Sequence, residues 1–513
     1  MVAAAHPLAV AAGLEILKRG GNAVDAAIAV QMALGLAEPQ ASGLGGGAFL
    51  LYWDAKGKVL RSYDGRESAP AAARPERFLK PGGQPMTLRE AIPGGRSVGV
   101  PGALRMLEAV HRRHGKLAWA ELFEPALRAA EQGFAMTPRL RGWLERVEGL
   151  KDDPEARALY FDAEGKPKAT GTTIVNRAYA ETLRAIAQGG ADAFYRGPIA
   201  ADIARAVRSG ANPGDLTEAD LAGYRAIERE PVCGPYRMVR ICSMGPPSSG
   251  GIAVLQILGL LERSGFDRAS ADSLEAWHLF AEARRLAFAD RAKYLGDPDF
   301  IRVPVEGLLK KSYLDERARL IGPRALPGAL AGDPETGTSD LAIVDAEGGA
   351  VSMTTTIEAP FGSRLMVRGF LLNNELTDFD FVPGGKNQVE AGKRPRSSMA
   401  PTIVFDAGGE VRIVIGSAGG AFIIGDVAKA LVGMLDWGLG VQAAIDLPNM
   451  GGRGDLVEIE QGPAYERFAE PLRALGHKVQ PRTFPSGLHA IERVPGGWRG
   501  GADRRREGVA RGE

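Results

Sequence analysis

The spacing of apolar positions changes character along the chain. A helical spacing runs from Pro7 to about Arg19 and stops at Gly20-Gly21, with Pro7 in the first turn, where its missing N–H is not needed. Asn22 is placed to cap a second helix, Ala23 to about Ala37, which ends before Pro39. Ser42-Gly43-Leu44-Gly45-Gly46-Gly47 then feeds an apolar strand, Ala48 to Trp53. Glycines before a strand are the reverse of a dinucleotide fingerprint, so this loop is not read as a nucleotide site.

From about residue 100 to 300 the pattern is mostly helical. Leu274 to Leu295 carries Trp277, Phe280, Ala281 and Phe288 on one stripe and stops at Gly296-Asp297-Pro298. Val239 to Met244 reads as a strand. Pro246-Pro247-Ser248-Ser249-Gly250-Gly251 then turns into an apolar helix, Ile252 to Leu261; the turn either binds an anion or rounds a corner. Past about residue 335 strands dominate: Leu341 to Asp345, Ala350 to Ile357, Gly369 to Leu372, Thr402 to Phe405 and Val411 to Ile415. No repeat and no long linker separates the two parts, which predicts one α/β sandwich built from both.

The chain has 513 residues, 45% hydrophobic and 24% charged, as expected of a globular protein. Its net charge of +1 argues against nucleic acid or an anionic membrane as main partner. No apolar stretch approaches the ~18 residues of a membrane span. Arg504-Arg505-Arg506 reads as a solvated tail. Cys233 and Cys242 are too few for a disulfide framework or a four-cysteine zinc site; two buried thiols are expected, with a single bridge left open. His111 and His114 share a helical face with no acidic partner, which predicts a surface pair rather than a metal site.

The chemistry is concentrated in one hairpin. Gly337-Thr338-Ser339-Asp340 opens a strand that turns at Ala346-Glu347-Gly348-Gly349 and returns as Ala350 to Ile357. A three-residue loop with Gly348 in the left-handed conformation sets Asp345 opposite Gly349, and counting back puts Thr338 opposite Thr356 on one face. A threonine hydroxyl needs a base to become a nucleophile. Cutting the Gly337–Thr338 bond would supply one, since a new α-amine has a pKa of roughly 7.7–8.0. Taken alone, the hairpin reads first as ordinary strand threonines.

A series of motifs in order across nearly the whole chain resembles the γ-glutamyltransferase family. The opening motifs are Gly20-Gly21-Asn22-Ala23-Val24-Asp25-Ala26-Ala27, Glu38-Pro39 with the glycine loop, and Asp64-Gly65-Arg66-Glu67-Ser68-Ala69-Pro70. Pro247 to Gly251 and Phe288-Ala289-Asp290-Arg291 resemble the middle. The Thr338 hairpin, Phe361-Gly362-Ser363, Leu372-Asn373-Asn374-Glu375, Lys393 to Met399 and Gly416-Ser417-Ala418-Gly419-Gly420 resemble the small subunit.

The resemblance implies a four-layer αββα sandwich of the N-terminal nucleophile hydrolase type, made as one precursor. It would be cut into a large subunit (residues 1–337) and a small one (338–513). It implies Thr338 as nucleophile, Thr356 as its hydrogen-bond partner, and the N–H groups of Gly419 and Gly420 as oxyanion hole. Arg66, Ser397 and Ser398 would take the substrate α-carboxylate, and Glu375 and Asp378 its α-ammonium. The donor would be a γ-glutamyl compound such as glutathione and the acceptor water or an amino acid, with neither metal nor cofactor. Three departures qualify this expectation. Asp340 stands where the family usually has histidine. Glu358 replaces an asparagine beside the substrate, favouring the ammonium and repelling the carboxylate. The stretch from Asp378 to Lys393 is short for a lid loop, which predicts an open pocket. Non-glutamyl amides of the glutaryl or cephalosporin type, or an uncut non-catalytic role, are the alternatives. The chain begins at the first motif without a leader, so a start further upstream or a cytoplasmic location is expected.

Overall fold

The hairpin forms in the register its turn dictates. In the computed structural model, which describes residues 1–210, 212–326, 337–452 and 454–512, strand Gly337–Val344 pairs antiparallel with Ala350–Glu358. Thr338 lies opposite Thr356, Asp340 opposite Thr354 and Val344 opposite Ala350. Gly348 takes a φ of +83°, and Asp345 N–H donates to the Gly349 carbonyl at 3.0 Å. The ladder shifts register between Thr356 and Glu358, where Glu358 adopts a φ of +75°. This bulge re-aims the end of the strand next to Thr338.

The hairpin is the centre of a seven-stranded antiparallel sheet. Its order is Val509–Arg511, Val2–Ala4, Gly337–Val344, Ala350–Glu358, Gly47–Asp54, Val59–Gly65 and Ile227–Arg229. A six-stranded antiparallel sheet faces it, ordered Gly497–Ala502, His489–Val494, Val411–Gly416, Thr402–Phe405, Val239–Ser243 and Val232–Tyr236. Ser352 joins the two layers: its Oγ donates to Ile415 O at 3.0 Å and accepts from Thr402 N–H at 3.0 Å. Helices Pro7–Lys18, Ala23–Ala37 and Ala103–His114 cover the first sheet; Gly250–Arg263, Phe422–Leu435 and Val441–Asp446 cover the second, and Leu274–Tyr294 packs on Gly250–Arg263. The result is the expected four-layer αββα sandwich.

Alternation sorts the hairpin side chains between two cores. Leu341, Ile343, Val351 and Met353 pack toward the first helical layer, whereas Ala342, Val344 and Ala350 pack toward the second sheet. Thr338 and Asp340 share the even-numbered face, so both point between the sheets. With both faces covered, every residue of Ala350–Glu358 is buried. Asn22 caps Ala23–Ala37 as expected: its Oδ1 accepts from Val24 and Asp25 N–H at 3.0 Å each, and Asp25 reciprocates. That helix is buried on every side.

Three sequence expectations are corrected. Cys233 and Cys242 form a disulfide; strands Val232–Tyr236 and Val239–Ser243 set them directly opposite, with Cα atoms 4.1 Å apart. His111 and His114 are half-buried, not a surface pair: His111 Nε2 meets Leu117 O at 2.9 Å and His114 Nε2 meets Tyr63 Oη at 2.7 Å. The arginine run is not a solvated tail. It sits between two sheet strands, Gly497–Ala502 and Val509–Arg511, with Asp503 and Arg506 buried. No helix among the described residues is long and apolar enough to cross a membrane.

Candidate active site

At the end of the sandwich where the Thr338 hairpin begins, a cleft opens between the sheets. Thr338, Thr356, Arg66, Glu358, Glu375, Asp378, Ser397, Ser398 and Gly420 line it, so the residues singled out from sequence converge on one place. Gly419 precedes Gly420 just outside the lining. Arg291, Met399, Ala421 and Ile423 complete the wall. No residue of 379–392 contributes; that segment packs into a small core with Phe78, where Phe381 stacks at 4.5 Å.

Each wall has a local cause. Gly419 and Gly420 take φ of +129° and +59°, left-handed values that favour glycine. They form the turn into helix Phe422–Leu435, and Ile423 N–H returns to Gly420 O at 3.1 Å. Among the described residues, neither glycine N–H donates to a protein acceptor. Two donors at a helix start make a place for negative charge.

The serine wall is held from behind. Ser249 Oγ donates to Ser397 O and Ser248 Oγ to Met399 O, both at 2.5 Å. The proline–serine turn therefore rounds a corner and spends its hydroxyls on this loop. Arg291 Nε donates to Ser249 Oγ at 2.8 Å and Nη2 to Ser398 Oγ at 2.9 Å. Ser397 Oγ accepts from Met399 N–H at 3.1 Å. Because both serine oxygens already accept, their own hydrogens are free to turn to another acceptor.

The opposite wall is crowded with charge. Arg66 is fully buried and donates to Glu375 and to Asp378 through its two terminal nitrogens, with Nε on Pro395 O at 3.2 Å. Glu67 lies behind it, Nη1 to Oε2 3.9 Å. Burial opposes the guanidinium charge, but Glu375, Asp378 and Glu67 overcome this and push Arg66 up. Burial raises the carboxyls too: Glu67 to about 7, and Glu358 and Glu375 well above the usual range, with Arg66 pulling the other way. Asn374 shapes this wall: its Nδ2 donates to the Glu358 carboxyl, while its Oδ1 accepts from Ala359 N–H at 2.9 Å. With one guanidinium among four carboxyls, the wall is matched to an incoming cation.

Two residues near Thr338 escaped a functional reading from sequence. Asp340 is buried two residues inward from Thr338 and accepts from Thr354 Oγ1 at 2.9 Å; burial pushes its carboxyl well up. Arg506 Nη1 donates to the Thr338 carbonyl at 2.6 Å. Arg291 belonged to a recognised motif but carried no assigned role.

Comparison with known proteins agrees with this geometry. The profile of the family described as Gamma-glutamyltranspeptidase matches residues 9–513. The chain is 37% identical over 539 residues to the glutathione hydrolase proenzyme of Bacillus subtilis (strain 168), covering 99% of this chain and 91% of that protein. It is 36% identical to the acylase ACY 1 proenzyme of Pseudomonas sp. (strain SE83), covering 98% and 91%. The crystal structure of cephalosporin acylase from Bacillus halodurans superposes with a TM-score of 0.86 at 30% identity, covering 99% and 94%. A sandwich of this architecture, a profile match along nearly its entire length and hydrolase relatives at this identity lead to one conclusion: the chain is an enzyme of the N-terminal nucleophile hydrolase type and belongs to the γ-glutamyltranspeptidase family.

Proposed function

We propose that the chain is a precursor cut between Gly337 and Thr338, and that the freed Thr338 cleaves γ-glutamyl amides such as glutathione. The products would be a large subunit, residues 1–337, and a small subunit, 338–513. The observation that carries the reading is the cleft itself: Thr338 and Thr356 lie between a wall of hydroxyls backed by Arg291 and a wall of carboxyls around Arg66.

In the cutting step the Thr338 hydroxyl adds to the Gly337 carbonyl, the acyl group shifts from nitrogen to oxygen, and water hydrolyses the resulting ester. This leaves a carboxylate on Gly337 and a free α-amine on Thr338. In turnover that amine accepts the Thr338 hydroxyl proton as Oγ1 attacks the γ-carbonyl carbon. The N–H groups of Gly419 and Gly420 stabilise the oxyanion, and Thr356 holds Oγ1 in line. Collapse expels the amine product, which takes the proton back from the α-ammonium. Water then attacks the ester, releasing glutamate and restoring the hydroxyl; an amino acid can stand in for water.

Recognition is an exchange of ion partners. The substrate α-ammonium takes over Glu375 and Asp378, with Glu358 nearby, and the α-carboxylate takes Arg66 and the hydroxyls of Ser397 and Ser398. An excess of carboxyls favours a donor bearing an ammonium, and so a γ-glutamyl over a glutaryl group. The acylase relatives make the glutaryl class the comparison to run. Mass analysis of purified protein should give two pieces with Thr338 at the new N-terminus, and turnover of γ-glutamyl anilide. Thr338→Ala should stay in one piece and turn over nothing. An intact wild-type chain after prolonged incubation, or full activity in the alanine variant, sinks the proposal; preference for glutaryl anilide moves the substrate to the acylase class.

A further inference from the structure

The three arginines of the C-terminal run have different surroundings. Arg504 is exposed beside Asp446, Arg505 pairs with Glu460 and Asp503, and Arg506 is buried. There the Arg506 guanidinium meets three backbone carbonyls. Nη1 donates to Thr338 O at 2.6 Å, Nη2 to Pro485 O at 2.6 Å and Nε to Ser486 O at 2.8 Å. The loop carrying Pro485 and Ser486 backs the glycine turn. The Gly487 carbonyl accepts from Ala418 N–H at 3.3 Å, and a Cβ on Gly419 would lie 3.3 Å from Pro485 O.

We propose that Arg506 is a positioning residue for the reaction at Thr338, bridging the nucleophile's own backbone to the loop behind the Gly419–Gly420 turn and holding a positive charge beside the freed α-amine. The inference rests on the nucleophile reading above. The bridge fixes the distance between attacking oxygen and oxyanion donors, the quantity to which such reactions are most sensitive. The charge disfavours an ammonium on the same residue and so keeps the amine a base.

The groups around the guanidinium leave that charge in place. The Glu38 carboxylate lies 4.0 Å away and is shared with Arg139. Asp503 is ionised but also serves Arg505. Burial pushes the Asp340 carboxyl well above the usual carboxylate range, Asp426 is raised to about 7, and His489 is pushed down to about 3, chiefly by burial, and is neutral. Burial and then Arg139 lower Arg506 to about 10, so it stays cationic at neutral pH.

Three variants of the full chain test this. Arg506→Lys keeps the charge but cannot span three carbonyls; Arg506→Met loses both; Arg504→Met is the control. Expected are a fall in kcat of ~10–100-fold in both Arg506 variants with donor KM little changed. The acid limb of kcat/KM should move up by ~1 pH unit in Arg506→Met alone. Arg504→Met should match the wild type. If Arg506→Met is recovered uncut, Arg506→Lys decides: a lowered kcat supports the bridge and an unchanged one overturns it. Arg506 variants with wild-type kcat and pH profile, while Thr338→Ala is dead, would refute this role and leave the nucleophile standing.

Discussion

Asp340 accepts a hydrogen bond from Thr354 at 2.9 Å in a slot that exists because residue 416 is glycine. A Cβ at Gly416 would lie 2.1 Å from Asp340 Oδ1, closer than any real contact. Gly416→Ala should therefore destabilise the fold by ~1–3 kcal/mol, as overpacking does. Combined with Asp340→Ala the loss should be smaller than the sum, because the clash disappears. Denaturant midpoints of the two singles and the double check this; additive losses would contradict it.

The same carboxyl makes a pH prediction. Burial raises its pKa above the unfolded value, the reverse of a salt-bridged aspartate. Above the unfolded pKa the native state then binds more protons than the unfolded one, so this group's contribution falls as pH rises toward its folded pKa. Asp340→Asn removes that loss while keeping the shape. The variant should gain thermal stability over the wild type, by more at pH 8 than at pH 5, in paired melts. An equal gain at both would show that Asp340 is ionised in the fold.

Arg291 and Ser398 should act as a unit. The guanidinium occupies the Ser398 oxygen, which directs the hydroxyl hydrogen to an acceptor in the cleft. Ser398→Ala should raise the donor KM by ~10-fold, the value of one hydrogen bond to a charged group. Arg291→Gln should raise it comparably, and the double variant little further. A donor without an α-carboxylate should be indifferent to all three. Multiplying effects in the double variant would separate the residues.

Glu358 is the position at which donor classes should part. Burial pushes its carboxyl well above the usual carboxylate range, and an ammonium arriving beside Glu375 and Asp378 would favour its ionised form. Glu358→Gln should therefore weaken γ-glutamyl anilide and leave glutaryl anilide, which has no ammonium, unaffected. Initial rates with both donors at pH 7 provide the comparison; equal loss on both would assign Glu358 to the scaffold.

The Thr338 hairpin was legible because two local rules agreed: a left-handed glycine fixes the loop, and the period of two carries the register back to Thr338. The remaining cleft residues were legible only as members of motifs, since nothing local tells that Arg66 and Ser397 meet across more than three hundred residues. Arg506 was missed for a physical reason. A charged triplet near a terminus reads as solvated, and its partners are backbone carbonyls, which leave no mark on sequence. Cys233 was misjudged because Gly234-Pro235 masks a strand. Arg291 sits on a long helix where a cation ordinarily faces solvent.

The sheet around the hairpin draws on both proposed subunits. Gly337–Val344 is stitched on one side to Val2–Ala4, and its partner strand to Gly47–Asp54 on the other. A break ahead of Thr338 therefore severs the chain without opening a seam: neither fragment owns a complete sheet, and each alone would expose raw strand edges to its neighbours. The intact polypeptide finds its fold by a search within one molecule, whereas the nicked pair, once melted, must rediscover each other by diffusion. The proposed self-cutting would thus work as a ratchet, after which the enzyme's lifetime would depend on how slowly it comes apart rather than on how readily it reassembles.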